Sequence, residues 1–371
     1  MNVIERNNCI SCNGSLENVY TINDFPIFMG ATTQPVEEDL QADMIFAKCT
    51  SCNCIQLKNL IPLDILYAEP HNTATGVLWQ KHHKQFSNFV KKHAKGKVVE
   101  VGGANLILAE HLKDGAEIDS ITVYDTNITA DTNSNKIFLK EQFFDHTTVD
   151  TPPDAIIHSH VIEHLYDPIT QIKLMCDILH ENGVMLISAP VIDVMMEDGF
   201  TNAMNFEHTY ALTKNLLQKI LKNSGMKIID KQDFSRHCVF VAAVKDYNVG
   251  EFNHEHESCN YFNKFISHYE SEIQKIDNML QKPEETFIFG AHIFTQFLLK
   301  LGLEENKFSC ILDNDAKKQS NRLYGTNLIV KSPKILREIS SPLVVLKAGQ
   351  YTDEIKKDIL ENINPKTRFI L

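Results

Sequence analysis

The stretch VVEVGGANLILAEHL, residues 98–112, decides the fold. Three valines around Glu100 make an apolar run of strand length, Gly102 and Gly103 form a turn that permits close backbone approach, and helix-spaced apolar residues begin near Asn105. Strand, glycine turn and helix in that order cradle a nucleotide-containing cofactor at the strand's carboxyl end. The turn is not G-x-G-x-x-G, so the third small residue of a dinucleotide pyrophosphate site is missing. Outward from this unit, short apolar runs alternate with helical stretches. Strands are expected at 97–101, 120–125, 136–139, 154–160, 183–190, 227–234 and 237–244, and helices at 105–114, 168–181 and 213–223. Such alternation signals an α/β sheet. Only Ser235 and Arg236 join the last two strands, which therefore pair antiparallel, since a parallel crossover needs roughly a dozen residues.

The chain has 371 residues, more than one core usually serves at ~150 residues per domain. Its boundaries are expected at 1–66, 67–248 and 249–371. After the central sheet a long helix is expected at 256–281, halted by Pro283, and then a second, smaller Rossmann-like pattern from TFIFG (286–290) to RFIL (368–371). No longer internal repeat stands out. Lysine and arginine number 36 against 48 aspartates and glutamates, a net charge of −12, which argues against a nucleic-acid backbone or an anionic membrane as the main partner. No apolar run approaches the ~18 residues of a membrane span, and the start MNVIERNNCISC lacks a leader pattern, so a cytoplasmic location is expected.

Five of the nine cysteines lie within the first 54 residues. Cys9-x2-Cys12 and Cys49-x2-Cys52 are two knuckles whose thiolates can reach one tetrahedral Zn2+ at ~2.3 Å. The intervening segment looks too small to fold on its own core, and a closed four-thiolate site is structural, so the zinc is assigned to folding. Cys54 is a spare. His82-His83 and His254-x-His256 lack matching ligand spacing and are expected on solvated faces.

An acidic strand end with a shortened glycine turn resembles motif I of the class I methyltransferases, whose cofactor S-adenosylmethionine has no phosphate to bind. Glu100, Gly102, Gly103 and Asn105 then form its cradle, Asp125 closes the next strand where a carboxylate can accept both ribose hydroxyls, and Asp145 after FF approaches the adenine amine. DAIIHSHVIEHLYDP (154–168) resembles the strand-four motif that lines the methyl-donor pocket, placing His158 and His160 there. His164 reads as a structural hydrogen-bonder.

Taken together, Cys9/Cys12 with Cys49/Cys52, KCTSCNCIQL, EVGGAN, HSHVIEHL, FEHTYALT and the tail from IFGAHIFTQ to LIVKSP resemble the deoxysugar C-methyltransferases that act on nucleotide-linked keto-sugars. The resemblance implies a zinc domain, a central class I methyltransferase sheet with an antiparallel terminal strand and a C-terminal Rossmann-like domain. It also implies that the Glu-His step is an active-site element, with His208 as base and Glu207 beside it. A carbon next to a ketone becomes a nucleophile only when its proton is removed, and an imidazole near ~6.5 suits that task. An O-methyltransferase needs a base too.

Three positions depart from the family. Asn205 stands where a tyrosine is usual, His71 where an aromatic hydroxyl is expected, and FSRHCVF puts Arg236 and His237 in place of a glycine-rich stretch. His71, Arg236 and His237 are candidate substrate contacts, Asn205 and His160 join His208 and Glu207 as candidate catalytic residues, and the three departures point to an acceptor unlike the typical keto-sugar. The function expected is S-adenosylmethionine-dependent methyl transfer to a nucleotide-linked sugar or related small polar acceptor. The alternatives left open are an O- or N-methyltransferase on a sugar or other metabolite, a zinc-bearing RNA methyltransferase, and a cofactor-binding scaffold without turnover. In the tail, Gly290-Ala291-His292 and Asp313-Asn314-Asp315 either hold a nucleotide or sugar head or only brace the pocket.

Overall fold

The computed structural model describes residues 2–68, 76–203, 205–246, 257–280 and 285–370. Among the described residues, three sheets of three or more strands follow one another along the chain. The first is antiparallel, with β1 (Leu16–Pro26), β2 (Gln41–Cys49) and β3 (Ile55–Leu57) in that order. Its buried side chains Phe25 and Phe46 pack edge-on against Phe206 and tilted against Phe262, with centroids 6.2 and 5.0 Å apart. Each such burial is worth ~1.5–3 kcal/mol. The N-terminal segment thus draws its core from the rest of the chain.

The central sheet starts after α1 (Val77–His93) and contains β4 (Gly96–Val101), β5 (Ile118–Asp125), β6 (Ile137–Glu141), β7 (Ala155–Ser159), β8 (Val184–Pro190), β9 (Met226–Phe234) and β10 (Cys238–Lys245). Their spatial order is β9-β10-β8-β7-β4-β5-β6. All neighbours are parallel except β10, which is last in the chain yet inserted between β8 and β9 and antiparallel to both. The three-residue link at 235–237, one residue longer than expected, forces that reversal. α2 (Ile107–Leu112), α3 (Pro168–Ile178), α4 (Ile192–Glu197) and α5 (Lys214–Asn223) complete this unit.

α6 (Ser258–Met279) then leads to a parallel sheet of β11 (Thr286–Phe289), β12 (Cys310–Leu312), β13 (Val330–Lys331), β14 (Leu343–Val345) and β15 (Arg368–Ile370), with α7 (Ile293–Lys300) after its first strand. The order β13-β12-β11-β14-β15 reverses direction beside β11, the kind of switch at which α/β sheets open a crevice. Arg322 and Leu323 pair back onto Thr32 and Ala31, and Arg322 forks onto Asp39, tying this sheet to the N-terminal segment.

Several expectations change. The first helix of the central unit begins at Ile107 rather than 105, because Leu106 sits in the left-handed region (φ 56°) and the Asn105 carboxamide accepts the Ile107 N–H at 3.1 Å. His82 and His83 are not on a solvated face: both are buried, since α1 turns them inward with Phe86 onto the sheet. His71 and the His254/His256 pair lie outside the described residues. No described helix is long and apolar enough to cross a membrane.

Candidate active site

Glu100 ends β4 almost fully buried, and one of its carboxylate oxygens has no hydrogen-bond partner. Burial, with Asp125 adding to it, pushes this carboxyl up to about 8. The following turn closes tightly over it. Gly102 has φ +79°, and a Cβ there would lie 2.5 Å from Val161; a Cβ on Gly103 would lie 2.8 Å from the Glu100 carboxyl carbon and 2.7 Å from Val123. Only glycines allow that packing. Asp125 ends β5 partly exposed, its carboxylate accepting the Asn127 N–H at 2.9 Å. A buried carboxyl with one unpartnered oxygen, a glycine turn and an open second carboxylate at adjacent strand ends fit an adenosyl cofactor, which Glu100, Gly102, Gly103, Asn105 and Asp125 would hold.

A protonated Glu100 has a consequence for stability. The unfolded carboxyl releases its proton near ~4.3 whereas the folded one keeps it to about 8. Between those pH values the native state binds more protons, so cofactor-free stability should fall as pH rises. Glu100→Gln should flatten that slope in urea melts taken from pH 5 to pH 8; an unchanged slope would show that Glu100 is ionised in the native state.

Val161, which touches the Gly102 turn, belongs to the loop after β7. That loop carries the polar centre of the site. His160 adopts φ +55°, which sends its ring back so that Nδ1 lies 3.3 Å from Glu163 Oε1. His164 Nε2 lies 3.8 Å from the same oxygen, while its Nδ1 is 3.0 Å from the Glu207 carbonyl. The His208 ring stacks obliquely on His164 with centroids 5.3 Å apart, and its buried Nδ1 has no partner. Burial by itself would raise the Glu163 carboxyl, but His160, His164 and His208 hold it down at about 2. His208 is pushed down to about 4 by burial and by His164, against the pull of Glu163 and Glu207. It is therefore neutral at physiological pH.

The structure gives the other predicted residues definite places. Asn205 is buried and braces the loop: its Oδ1 accepts the N–H groups of both Glu207 and His208 at 2.8 Å. Glu207 lies close enough to His292, in the first turn of the C-terminal sheet, to oppose the burial that lowers His292 to about 4. His158 points into the buried face of β7, where burial drives it down to about 4. Asp145 caps a short helical turn through Thr147 N–H at 2.8 Å. Arg236 is exposed and forked onto Asp198 and Glu197. His237 joins His160, His82 and Trp79 in a ring cluster with centroids 4.9 to 6.3 Å apart. Within it, His82 Nε2 is 2.8 Å from Ser188 Oγ, a contact that accounts for the buried histidine. Glu163, the hub of the site, was missed as a site residue; the repeated Glu-His pairs at 163–164 and 207–208 were its signal.

At the N-terminus, Cys9, Cys12, Cys49 and Cys52 converge, their sulfurs within 4.8 Å of one another. The Cys9–Cys52 and Cys12–Cys49 separations are 3.6 and 3.5 Å. Thiolates ~2.3 Å from a tetrahedral centre lie about 3.8 Å apart, so the set fits one ion. The knuckles repeat each other. In both, the backbone N–H two residues after the first cysteine meets that cysteine's sulfur at 3.4 Å. Asn13 and Asn53, each after the second cysteine, share φ 60°. Cys54 is buried outside the four, its thiol facing the Ile55 carbonyl.

Residues 77–231 match the family model described as a methyltransferase domain. That match falls on the seven-stranded mixed sheet and its cradle, so the central unit is a methyltransferase domain. Among solved structures, the chain is similar to an O-methyltransferase family protein from Burkholderia thailandensis at 11% identity over 46% of this chain and 57% of that one, TM-score 0.39. It is also similar to an S-adenosylmethionine-dependent methyltransferase from Clostridium acetobutylicum at 12% identity, 44% and 92% coverage and TM-score 0.34. A third is the N-methyltransferase NodS from Bradyrhizobium japonicum with bound S-adenosyl-L-homocysteine, at 13% identity, 46% and 89% coverage and TM-score 0.35. No curated protein sequence matches the chain.

Proposed function

We propose that the protein methylates a small polar acceptor, a nucleotide-linked sugar in the reading its sequence resemblance supplies, and that zinc at Cys9, Cys12, Cys49 and Cys52 holds its N-terminal segment together. The methyl donor supplies a sulfonium-bound methyl group, which bonds to the acceptor atom as its bond to sulfur breaks and S-adenosylhomocysteine leaves. The protein's part is to hold donor and acceptor together and to deal with the acceptor's proton. Glu100 and Asp125 hold the donor. The proton falls to the cluster of Glu163, His164 and His208, in which His208 offers a neutral imidazole and His160 orients Glu163.

The observation that carries this reading is the contact between the two halves of the site: the Gly102 turn abuts Val161, in the loop that bears Glu163 and His164. One feature favours an acceptor with an extended polar portion: His292 of the C-terminal sheet is within electrostatic reach of Glu207. Incubating the protein in D2O with S-adenosylmethionine and panels of nucleotide-sugars and sugar-phosphates, read by mass spectrometry, tests it. A gain of one methyl group with enzyme-dependent deuterium uptake next to a ketone is the result expected of C-methylation. Methyl gain without exchange moves the methyl to oxygen or nitrogen, and no gain from any acceptor overturns the sugar reading.

A further inference from the structure

We propose that Glu163, His164 and His208 form a divalent transition-metal site, separate from the four cysteines, that receives an oxygen of the acceptor. The inference rests on the methyl-transfer reading for the acceptor's identity, but the site itself rests on the geometry of the cluster. One ligand atom from each residue lies within 4.8 Å of the other two. A cation ~2.1 Å from each would place them about 3 to 3.5 Å apart, so modest rotation of two half-buried imidazoles closes the set.

Hydrogen-bond polarity makes the cluster a receptor for a cation. The Glu207 carbonyl can only accept, so His164 Nδ1 carries the proton of the neutral ring and Nε2 presents a lone pair. That lone pair lies 3.8 Å from the Glu163 carboxylate oxygen, lone pair against anion. His208 adds a third donor atom, the buried and unpartnered Nδ1. The Glu163 side chain is 1% exposed, and among the described residues its ion-pair partners are histidines alone. The neighbouring fixed cation, Arg6, spends its guanidinium on the carbonyls of Leu57, Thr209 and Tyr166. Among the described residues neither Glu163 carboxylate oxygen has a hydrogen-bond donor at full contact, and a bound cation supplies the positive charge that such a buried carboxylate calls for.

The outer shell is built as metal sites usually are. The Glu207 carbonyl fixes the His164 tautomer, His160 orients the Glu163 carboxylate at 3.3 Å, and Asn205 fixes the backbone that carries His208. His160 holds its place at φ +55°, a strained conformation for a non-glycine residue. Two imidazoles and one carboxylate suit a borderline ion such as Zn2+, Fe2+ or Co2+, and three protein ligands leave positions open to an acceptor's hydroxyl or keto oxygen. Coordination there acidifies the acceptor, and the released proton passes to solvent. With the ion bound, His208 serves the reaction as a ligand in place of the base role it has in the metal-free reading above.

The test is titration of the full-length, zinc-replete protein with Co2+, followed by its visible spectrum and by calorimetry. One further equivalent is expected, with weak d–d bands and without the strong sulfur-to-cobalt charge transfer of a thiolate site. Glu163→Gln and His164→Ala should each weaken that uptake by ~100-fold. S-adenosylhomocysteine affinity, measured on the same samples, should stay within about threefold and so reports that the fold and the donor site are intact. Absence of the extra equivalent from a wild-type protein that binds S-adenosylhomocysteine overturns the metal site and leaves methyl transfer standing. Uptake unchanged in both variants overturns it as well. Failure to bind S-adenosylhomocysteine overturns the donor site instead.

Discussion

Stripping the zinc with a strong chelator will lower the melting temperature by roughly 10 °C or more and will abolish turnover while leaving S-adenosylhomocysteine binding largely in place. The first effect follows from size. Structural four-ligand zinc contributes about 10–16 kcal/mol in small peptides, as much as the whole folding margin of an ordinary domain. The second follows from connectivity. β3 lies immediately after the second knuckle and pairs with the residues that follow His208: Leu57 N–H donates to the Thr209 carbonyl and Ala211 N–H to the Ile55 carbonyl, both at 2.9 Å. Arg6, three residues before Cys9, donates to the Thr209 carbonyl at 2.7 Å. Loss of the knuckles therefore releases the His208 loop, whereas Glu100 and Asp125 lie on β4 and β5, which are hydrogen-bonded to strands of the central sheet, with Gly102 in the turn after β4. Metal analysis, thermal melts and paired measurements of turnover and S-adenosylhomocysteine affinity check it. Cys54→Ser, outside the four sulfurs, should retain the metal. Purified protein without zinc, or chelation that leaves the melt unmoved, would refute the assignment.

This coupling bears on how much the sequence discloses. The strand-turn-helix at 98–112 could be read because local patterning dictates it: an apolar run, two glycines that packing requires, and a helical spacing. The antiparallel β10 was legible from a short link, and the knuckles from their spacing. What stayed hidden depends on contacts remote in the chain. Nothing within HHKQF announces that α1 turns His82 toward Ser188, 106 residues away. The Asn205 side chain reads as a substituted tyrosine in sequence, yet its carboxamide is spent on the next backbone turn. Glu163 gains its role only where His160, bent back through a left-handed φ, and His208 from a distant loop meet it. Arg236 looked like a substrate contact because the sequence could not show Glu197 and Asp198 already holding it.

His208→Ala is expected to reduce kcat by ~10²–10⁴ while leaving the KM for S-adenosylmethionine within about threefold. The split follows from position. His208 belongs to the Glu163 cluster, whereas the groups that hold the donor are on β4, its glycine turn and β5. Removing the imidazole deletes a buried, unpartnered nitrogen and the ring's electrostatic hold on Glu163. It leaves the loop itself in place, because Asn205 Oδ1 binds the His208 backbone N–H and not the side chain. Asn205→Ala makes the complementary cut: two backbone N–H groups lose their acceptor, at a cost of ~1–3 kcal/mol if they stay buried, and turnover should fall because His208 is no longer fixed. The two variants separate presence from placement. In Asn205→Ala the deficit should shrink as temperature is lowered and the loop orders, and in His208→Ala it should persist at every temperature. A His208→Ala protein that turns over at the wild-type rate would remove this residue from the chemistry and shift the acceptor's proton to His160 or His164.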